Sequence, residues 1–168
     1  MISVWFEKKK GQDSKVIIPS PAYGPRAKLL RKALATLDIP VTVIERKRDM
    51  LFELVVKNLY ILTSNIAGLR VGGTVGELRD AHPEFMHKVA NDVIRLQEAI
   101  TGAHFDNGRL IAAMLRAFDG DPEHKCMGRS APGRLQRALD HADGLNIHLP
   151  TLRAIAVEQA DPAEPAVA

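Results

Sequence analysis

The chain has 168 residues, with 23 Lys and Arg against 20 Asp and Glu, a formal net charge of +3, and 46% hydrophobic residues. That length and apolar content suit one core-bearing domain with a small appendage, and so modest a charge argues against a nucleic-acid binder. A single cysteine, Cys126, excludes an intrachain disulfide framework; no signal-like apolar run opens the chain, and no segment holds the roughly 18 clean apolar residues of a membrane span, so a cytoplasmic protein with neither nucleic-acid nor membrane partner is the expectation.

Residues 2–8 (ISVWFEK) and 15–18 (KVII) are rich in strand formers and are joined by a turn, KKGQDS, that includes the basic run Lys8-Lys9-Lys10. Pro19 and Pro21 stop the second run, so the pair predicts a hairpin or two neighbouring strands. Pro25 suits the first turn of a helix. Leu29, Leu30, Ala33, Leu34 and Leu37 recur at helical spacing over 26–37, until Asp38 and Pro40 end it. Residues 41–44 (VTVI) read as a third strand, with Arg46-Lys47-Arg48 as its exit turn. The first 46 residues are therefore β-β-α-β, too little sheet for a complete doubly wound domain.

Beyond Arg48 every long element reads as helix. Asp49 is the expected cap of a central helix over 50–69, MLFELVVKNLYILTSNIAGL, apolar on most sides. Lys57, Asn58, Ser64 and Asn65 interrupt it. At about 100° per residue they form one narrow polar stripe, which needs partners because an unpaired buried polar group costs about 1–3 kcal/mol. Gly68, Gly72, Gly73 and Gly76 then predict a loop and a short turn at Gly76-Glu77-Leu78. Pro83 opens a helix that ends at Gly102, and Asp106 caps another carrying Leu110, Ile111, Met114, Leu115 and Phe118. A polar loop over 119–129 (DGDPEHKCMGR) leads to a helix with Ser130 as cap and Pro132 in its first turn. Pro150 starts a last helix through Gln159. The tail over 160–168 reads as disordered.

Chemistry can sit in three places. Lys57 in an apolar helix suits a general acid or carbonyl polariser, since burial lowers its pKa, and a nearby asparagine can donate to a substrate oxygen; the bland alternative is a lysine that snorkels to solvent beside asparagines that satisfy loop backbone. In the polar loop, Asp121, His124 and Cys126 have ligand chemistry but match no closed zinc spacing, so no metal is expected. Arg129 and Ser130, at a helix start, suit an anionic group. GGTVG over 72–76 follows a helix and lacks the phosphate-loop lysine, so it is a turn. His82, His87, His104, His141 and His148 are dispersed and form no cluster.

Lys57, Asn65 eight residues on, and Gly76-Glu77-Leu78 eleven residues after that resemble, without a gap, the start of the helical C-terminal domain of ketopantoate reductases. Asn146-Ile147-His148-Leu149-Pro150 resembles a later turn of that family, and residues before the helix resemble its last nucleotide-domain strands. The resemblance implies a mainly α protein with a small N-terminal α/β portion. Residues 1–46 would be the remnant of a Rossmann-like domain and 47–159 a substrate and dimerisation domain, a helical bundle resembling the C-terminal-domain-like fold of 6-phosphogluconate dehydrogenase. It implies an NADP(H)-dependent oxidoreductase acting on a 2-oxo acid or related carbonyl, with Lys57 as general acid and Asn65 at the substrate; read beside it, Asn58 is a further substrate-binding candidate, and Arg129 with Ser130 would face the substrate's anionic end.

The departures are specific. The family's second helix asparagine corresponds to Ile61, and its late glutamate falls near Ser130, so pantoate itself is not the expected substrate. The glycine-rich dinucleotide fingerprint is absent. The expectation is an incomplete enzyme, with its nucleotide-binding segment missing or on another chain, or a homodimer. The rival expectation is a non-catalytic helical interaction module, and a lesser one a small-molecule binding protein without chemistry.

Overall fold

A computed structural model describes residues 1–8 and 10–160. Lys9 and the expected disordered tail beyond Ala160 lie outside the described residues. Helix makes up 62% of the described residues, which are mainly α with a small strand portion at the N-terminal end.

Strands β1 (Phe6–Glu7) and β2 (Lys15–Val16) pair antiparallel as the expected hairpin, shorter than the apolar runs that announced it. The next element corrects the sequence reading. Residues 20–23, SPAY, form β3 (Ser20–Tyr23) despite Pro21, and β3 pairs in parallel with β4 (Val41–Ile44) across helix α1 (Ala27–Ala35). The order is β-β-β-α-β in two small sheets, not β-β-α-β. Pro21 is tolerated because its ring nitrogen faces away from β4. On that side lie residues 1–3, where Ser3 N–H donates to the Pro21 carbonyl (2.9 Å) and Tyr23 N–H donates to the Met1 carbonyl (2.9 Å). The missing donor deprives only one short edge segment. The result is a single parallel β-α-β unit.

Helix α2 (Lys47–Val71) is longer than expected at both ends. Arg46-Lys47-Arg48 is its start rather than an exit turn. Asp49 sits in its first turn, not at its cap, and accepts from Arg46 Nε at 2.6 Å. There the carboxylate also favours the positive end of the helix. α2 is long and apolar enough to cross a membrane, but 56% of its apolar window is buried inside the protein. It is the axle of the fold, packed against β3, β4 and every later helix: α3 (Val75–Ala81), α4 (Pro83–Thr101), α5 (Asn107–Gly120), α6 (Ala131–Gly144) and α7 (Pro150–Ala160). Leu59 and Ile66 of α2, Ile94 and Leu96 of α4, and Met114 and Phe118 of α5 are all sealed from solvent, each worth about 1.5–3 kcal/mol of apolar burial.

Local signals explain most boundaries. Gly102 ends α4 in the left-handed conformation (φ 65°), where a Cβ would be strained. Asp106 Oδ1 accepts from Arg109 N–H at 2.9 Å to open α5. Buried Asp92 of α4 reaches the first turn of α7, where its Oδ2 accepts from Thr151 N–H (2.7 Å) and Leu152 N–H (3.2 Å). The expected turn at Gly76-Glu77-Leu78 is instead helix α3. Thr74 Oγ1 accepts from Glu77 N–H, and Glu77 Oε2 accepts from Thr74 N–H at 2.8 Å, a reciprocal cap.

Candidate functional site

The polar stripe of α2 divides between two faces of the helix. Lys57 is half-buried, and its Nζ lies 3.8 Å from the centre of the Trp5 ring and 5.5 Å from that of Tyr60. Trp5 is fully buried between the strand portion and α2, and meets Tyr60 edge-on at a centroid distance of 5.1 Å. Burial, and secondly the charge of Arg134, lower the Lys57 pKa from 10.5 to about 8. The ammonium is thus held against an aromatic face with no ion pair among the described residues, a favourable cation–π contact in a desolvating place.

Asn65, also buried, accepts at Oδ1 from Arg134 Nη1 at 3.1 Å. Ser64 turns its hydroxyl back onto its own helix and donates to the Tyr60 carbonyl at 2.7 Å. Asn58 is exposed and donates from Nδ2 to Gln97 Oε1 of α4 at 3.1 Å. The two asparagines of the stripe are therefore satisfied by side chains of α4 and α6 rather than by loop backbone. Asn65 meets Arg134, whose charge also acts on Lys57, while Asn58 and Arg134 line the neighbouring cleft.

Arg129 and Ser130 are exposed, and neither makes a hydrogen bond or ion pair with Lys57 or Asn65. Ser130 stands at the start of α6 but its side chain caps nothing. Its backbone is already helical (φ −87°, ψ −1°), not extended as a capping serine requires. Arg134, one helical turn further on, is the residue that reaches the α2 stripe. Sequence reasoning missed it, although its place four residues after Ser130 puts it on the same face. Trp5 was read only as a strand former, and no local pattern in the sequence links it to Lys57.

The loop after α5 is a strap against α3. Val75 N–H donates to the His124 carbonyl, Gly76 N–H to the Pro122 carbonyl, and Cys126 N–H to the Gly73 carbonyl, at 2.9–3.0 Å. Asp121 is buried and pairs with Lys15 Nζ at 2.7 Å, with His124 Nδ1 at 3.6 Å. Burial, with Glu77 adding to it, pushes the Cys126 thiol up to about 11. A thiol so held is neither a nucleophile nor a ready ligand. Among the described residues no three His, Cys, Asp or Glu side chains converge to hold a metal.

Beside the stripe, α2, α4 and α6 bound an open cleft of about 370 Å³. Arg134 and Arg137 stand on one wall. Asn58 and Gln97 stand on the other.

The turn after β3 stands where a dinucleotide's phosphates would sit in a β-α-β unit. The β3–α1 turn carries one glycine, Gly24 (φ 111°), followed directly by Pro25, which has no N–H to offer a phosphate. A pyrophosphate cradle needs successive free backbone amides at a helix start, so this turn does not fit the group. Comparison with family models, with curated proteins and with solved structures finds no match.

Proposed function

We propose that this chain is the substrate-binding portion of a ketopantoate-reductase-like oxidoreductase acting on a 2-oxo acid or related carbonyl, with a helical bundle akin to the C-terminal domain of 6-phosphogluconate dehydrogenase. The observation that carries the reading is Arg134 reaching α2, where it donates to Asn65 Oδ1 at 3.1 Å and its charge acts on the half-buried Lys57 of the same helix. Lys57, still mostly protonated at neutral pH with a pKa of about 8, donates to the carbonyl oxygen. Asn65 holds that oxygen through its amide N–H. Arg134, rather than Arg129, meets the carboxylate. NADP(H) belongs to this reading by resemblance alone. The β3–α1 turn does not fit it, so a nucleotide-binding segment would come from a missing N-terminal part or a second chain. Fold likeness does not establish activity, and the assignment rests on the site.

Carbonyl polarisation is the direct test. A 2-oxo acid labelled with carbon-13 at its keto carbon should shift downfield on binding the wild-type chain. Lys57→Met should keep the binding and lose the shift. An equal shift in both proteins would remove Lys57 from the chemistry.

A second reading, an interaction module, is favoured by one observation. Met1 and Leu29 are 70% and 65% exposed and line one groove with Tyr23 and Leu30, and Leu37, just past α1, is 62% exposed; β4 has no strand on its outer edge among the described residues. Exposed apolar side chains and an open strand edge each suit a homodimer contact. Sedimentation of the wild type and of a Leu29→Glu, Leu37→Glu variant tests it: a dimer lost in the variant supports the contact, and a monomeric wild type refutes it.

A further inference from the structure

We infer that the cleft between α2, α4 and α6 is a binding site for a short-chain apolar carboxylate, its acid group clamped between Arg134 and Arg137 and its tail laid on the aliphatic floor. The cleft adjoins the site proposed above through Arg134, and Lys57 and Asn65 do not line it; the inference rests on that reading for which side of α2 the substrate approaches.

The charges argue first. Arg134 and Arg137 are three residues apart on α6, so their side chains lie on one face and both line the cleft. Arg134 is half-buried, and its one hydrogen-bond partner among the described residues is the neutral Asn65. Arg137 has no hydrogen-bond or ion-pair partner there. Arg46, Arg70, Arg79 and Arg153 meet carboxylates, whereas Arg26, Arg31, Arg109 and Arg129, like this pair, show no ion pair among the described residues; what sets Arg134 and Arg137 apart is that they line one recess together. Two adjacent guanidiniums without a carboxylate repel each other and concentrate positive potential in a recess with low-dielectric walls. An anion that reaches both relieves the repulsion, and a carboxylate offers the two oxygens that guanidinium forks accept best.

The floor decides what the rest of the anion is. Ile61 and Leu62 of α2 and Leu96 and Ile100 of α4 lie beneath the arginines, all aliphatic. Phosphate or sulfate would leave Ile100, which is exposed, and Ile61 and Leu62, which are half-buried, facing water. A chain of a few carbons covers them and gains about 0.8 kcal/mol per buried methylene. A volume of about 370 Å³ stands at the small end of ligand sites and excludes a dinucleotide or a long acyl chain. The exposed Asn58 amide, fixed by Gln97, adds one directional donor at the open side.

The experiment is a calorimetric titration of the full chain with 4-methylpentanoate, which carries the acid and the tail but no keto group. Binding is expected, with the neutral 4-methylpentanamide and the tail-less acetate each at least tenfold weaker. Arg134→Met and Arg137→Met should each weaken the acid by tenfold or more, and Arg137→Lys should weaken it less. Arg137 is exposed, so thermal unfolding of that variant should match wild type and keep the result interpretable were Arg134→Met to unfold. Equal binding of acid and amide, wild-type affinity in Arg137→Met, or no binding of the acid at about 10 mM would overturn the inference. Failure here is separable from failure of the function: acid binding that needs Arg137, with no carbonyl shift that needs Lys57, leaves the cleft and removes the chemistry.

Discussion

Replacing Lys57 with methionine should stabilise the protein at neutral pH and should stop doing so in alkali. The pKa of Lys57 falls from 10.5 to about 8 on folding, because burial first and Arg134 second disfavour the ammonium. Between those two values the unfolded chain holds a proton that the folded chain has lost, so stability rises with pH through that window. Below about pH 8 both states are protonated and the full cost of burying the charge is present. Above 10.5 neither is, and the cost has gone. The displacement corresponds to about 3 kcal/mol at 1.36 kcal/mol per pKa step. Solvent reaches part of the side chain, and the Trp5 face at 3.8 Å attracts the cation, so about 1–2 kcal/mol is the gain expected for Lys57→Met at pH 7. Methionine keeps most of the aliphatic stem, which limits any cavity. Urea unfolding of both proteins at neutral pH and at about pH 10 reads the difference directly, and it should shrink at the higher pH. A variant less stable than wild type at pH 7, or a difference that ignores pH, would refute the electrostatic account of this lysine.

Four other outcomes follow from the packing. A double-mutant cycle on Asn65→Ala and Arg134→Met should show a coupling of about 1 kcal/mol through their 3.1 Å bond, and a value near zero would mean the pair is not formed in solution. Thr74→Ala should cost about 1 kcal/mol in urea unfolding by breaking the reciprocal cap on α3; an unchanged midpoint counts against it. Gly68→Ala would put a Cβ 2.8 Å from Cys126 Cβ and 2.9 Å from Met127 N, an overpacking of about 1–3 kcal/mol measurable as a lower melting temperature. Cys126 is sealed and its thiol pKa is raised from 9.0 to about 11. Its reaction with a disulfide reagent at pH 8 should be at least about a hundredfold slower than in urea-unfolded chain, and fast labelling of the native state would contradict that burial.

Periodicity found the helices because each one hides a single apolar face, and the capping signals at Asp106, Gly102 and Pro83 act within a few residues. What local reasoning lost was set by distant contacts. β3 was hidden because Pro21 breaks an interior strand, and only its pairing with residues 1–3 makes that harmless. α3 was hidden because its glycine reads as a turn, whereas Gly76 is there to let the Pro122 carbonyl approach, 3.1 Å from where a Cβ would sit. Asp49 and Ser130 were taken for caps on residue type alone, and their backbone positions denied them the role. In the site, Lys57 and Asn65 stand out in any reading of α2. Their partners Trp5 and Arg134 lie fifty-two residues before one and sixty-nine after the other, a separation no local pattern spans.

The motif that prompted the functional reading also divides by what its residues do. Glu77 caps its own helix, Gly76 admits a backbone, and Leu78 is buried in the core, so that part of the register is accounted for by folding alone. Lys57 is different. No fold requirement places a cation under Trp5, where a methionine would pack with less electrostatic cost, and the ring that attracts the cation also covers it. A carbonyl that approaches Nζ from the Trp5 side needs residues 1–5 to yield. Those residues hold on through four hydrogen bonds to β3: Ser3 N–H to the Pro21 carbonyl, the Met1 ammonium to the Tyr23 carbonyl, Tyr23 N–H to the Met1 carbonyl, and Trp5 N–H to the Ser20 hydroxyl at 2.9 Å. Ser20→Ala removes that anchor without touching Lys57. In a working site it should raise the affinity for a 2-oxo acid or speed its association, because the cover opens more often. If Lys57 is only a structural cation, Ser20→Ala should lower stability by about 1 kcal/mol and change no ligand binding at all. Stopped-flow association of a 2-oxo acid with the two proteins separates these cases.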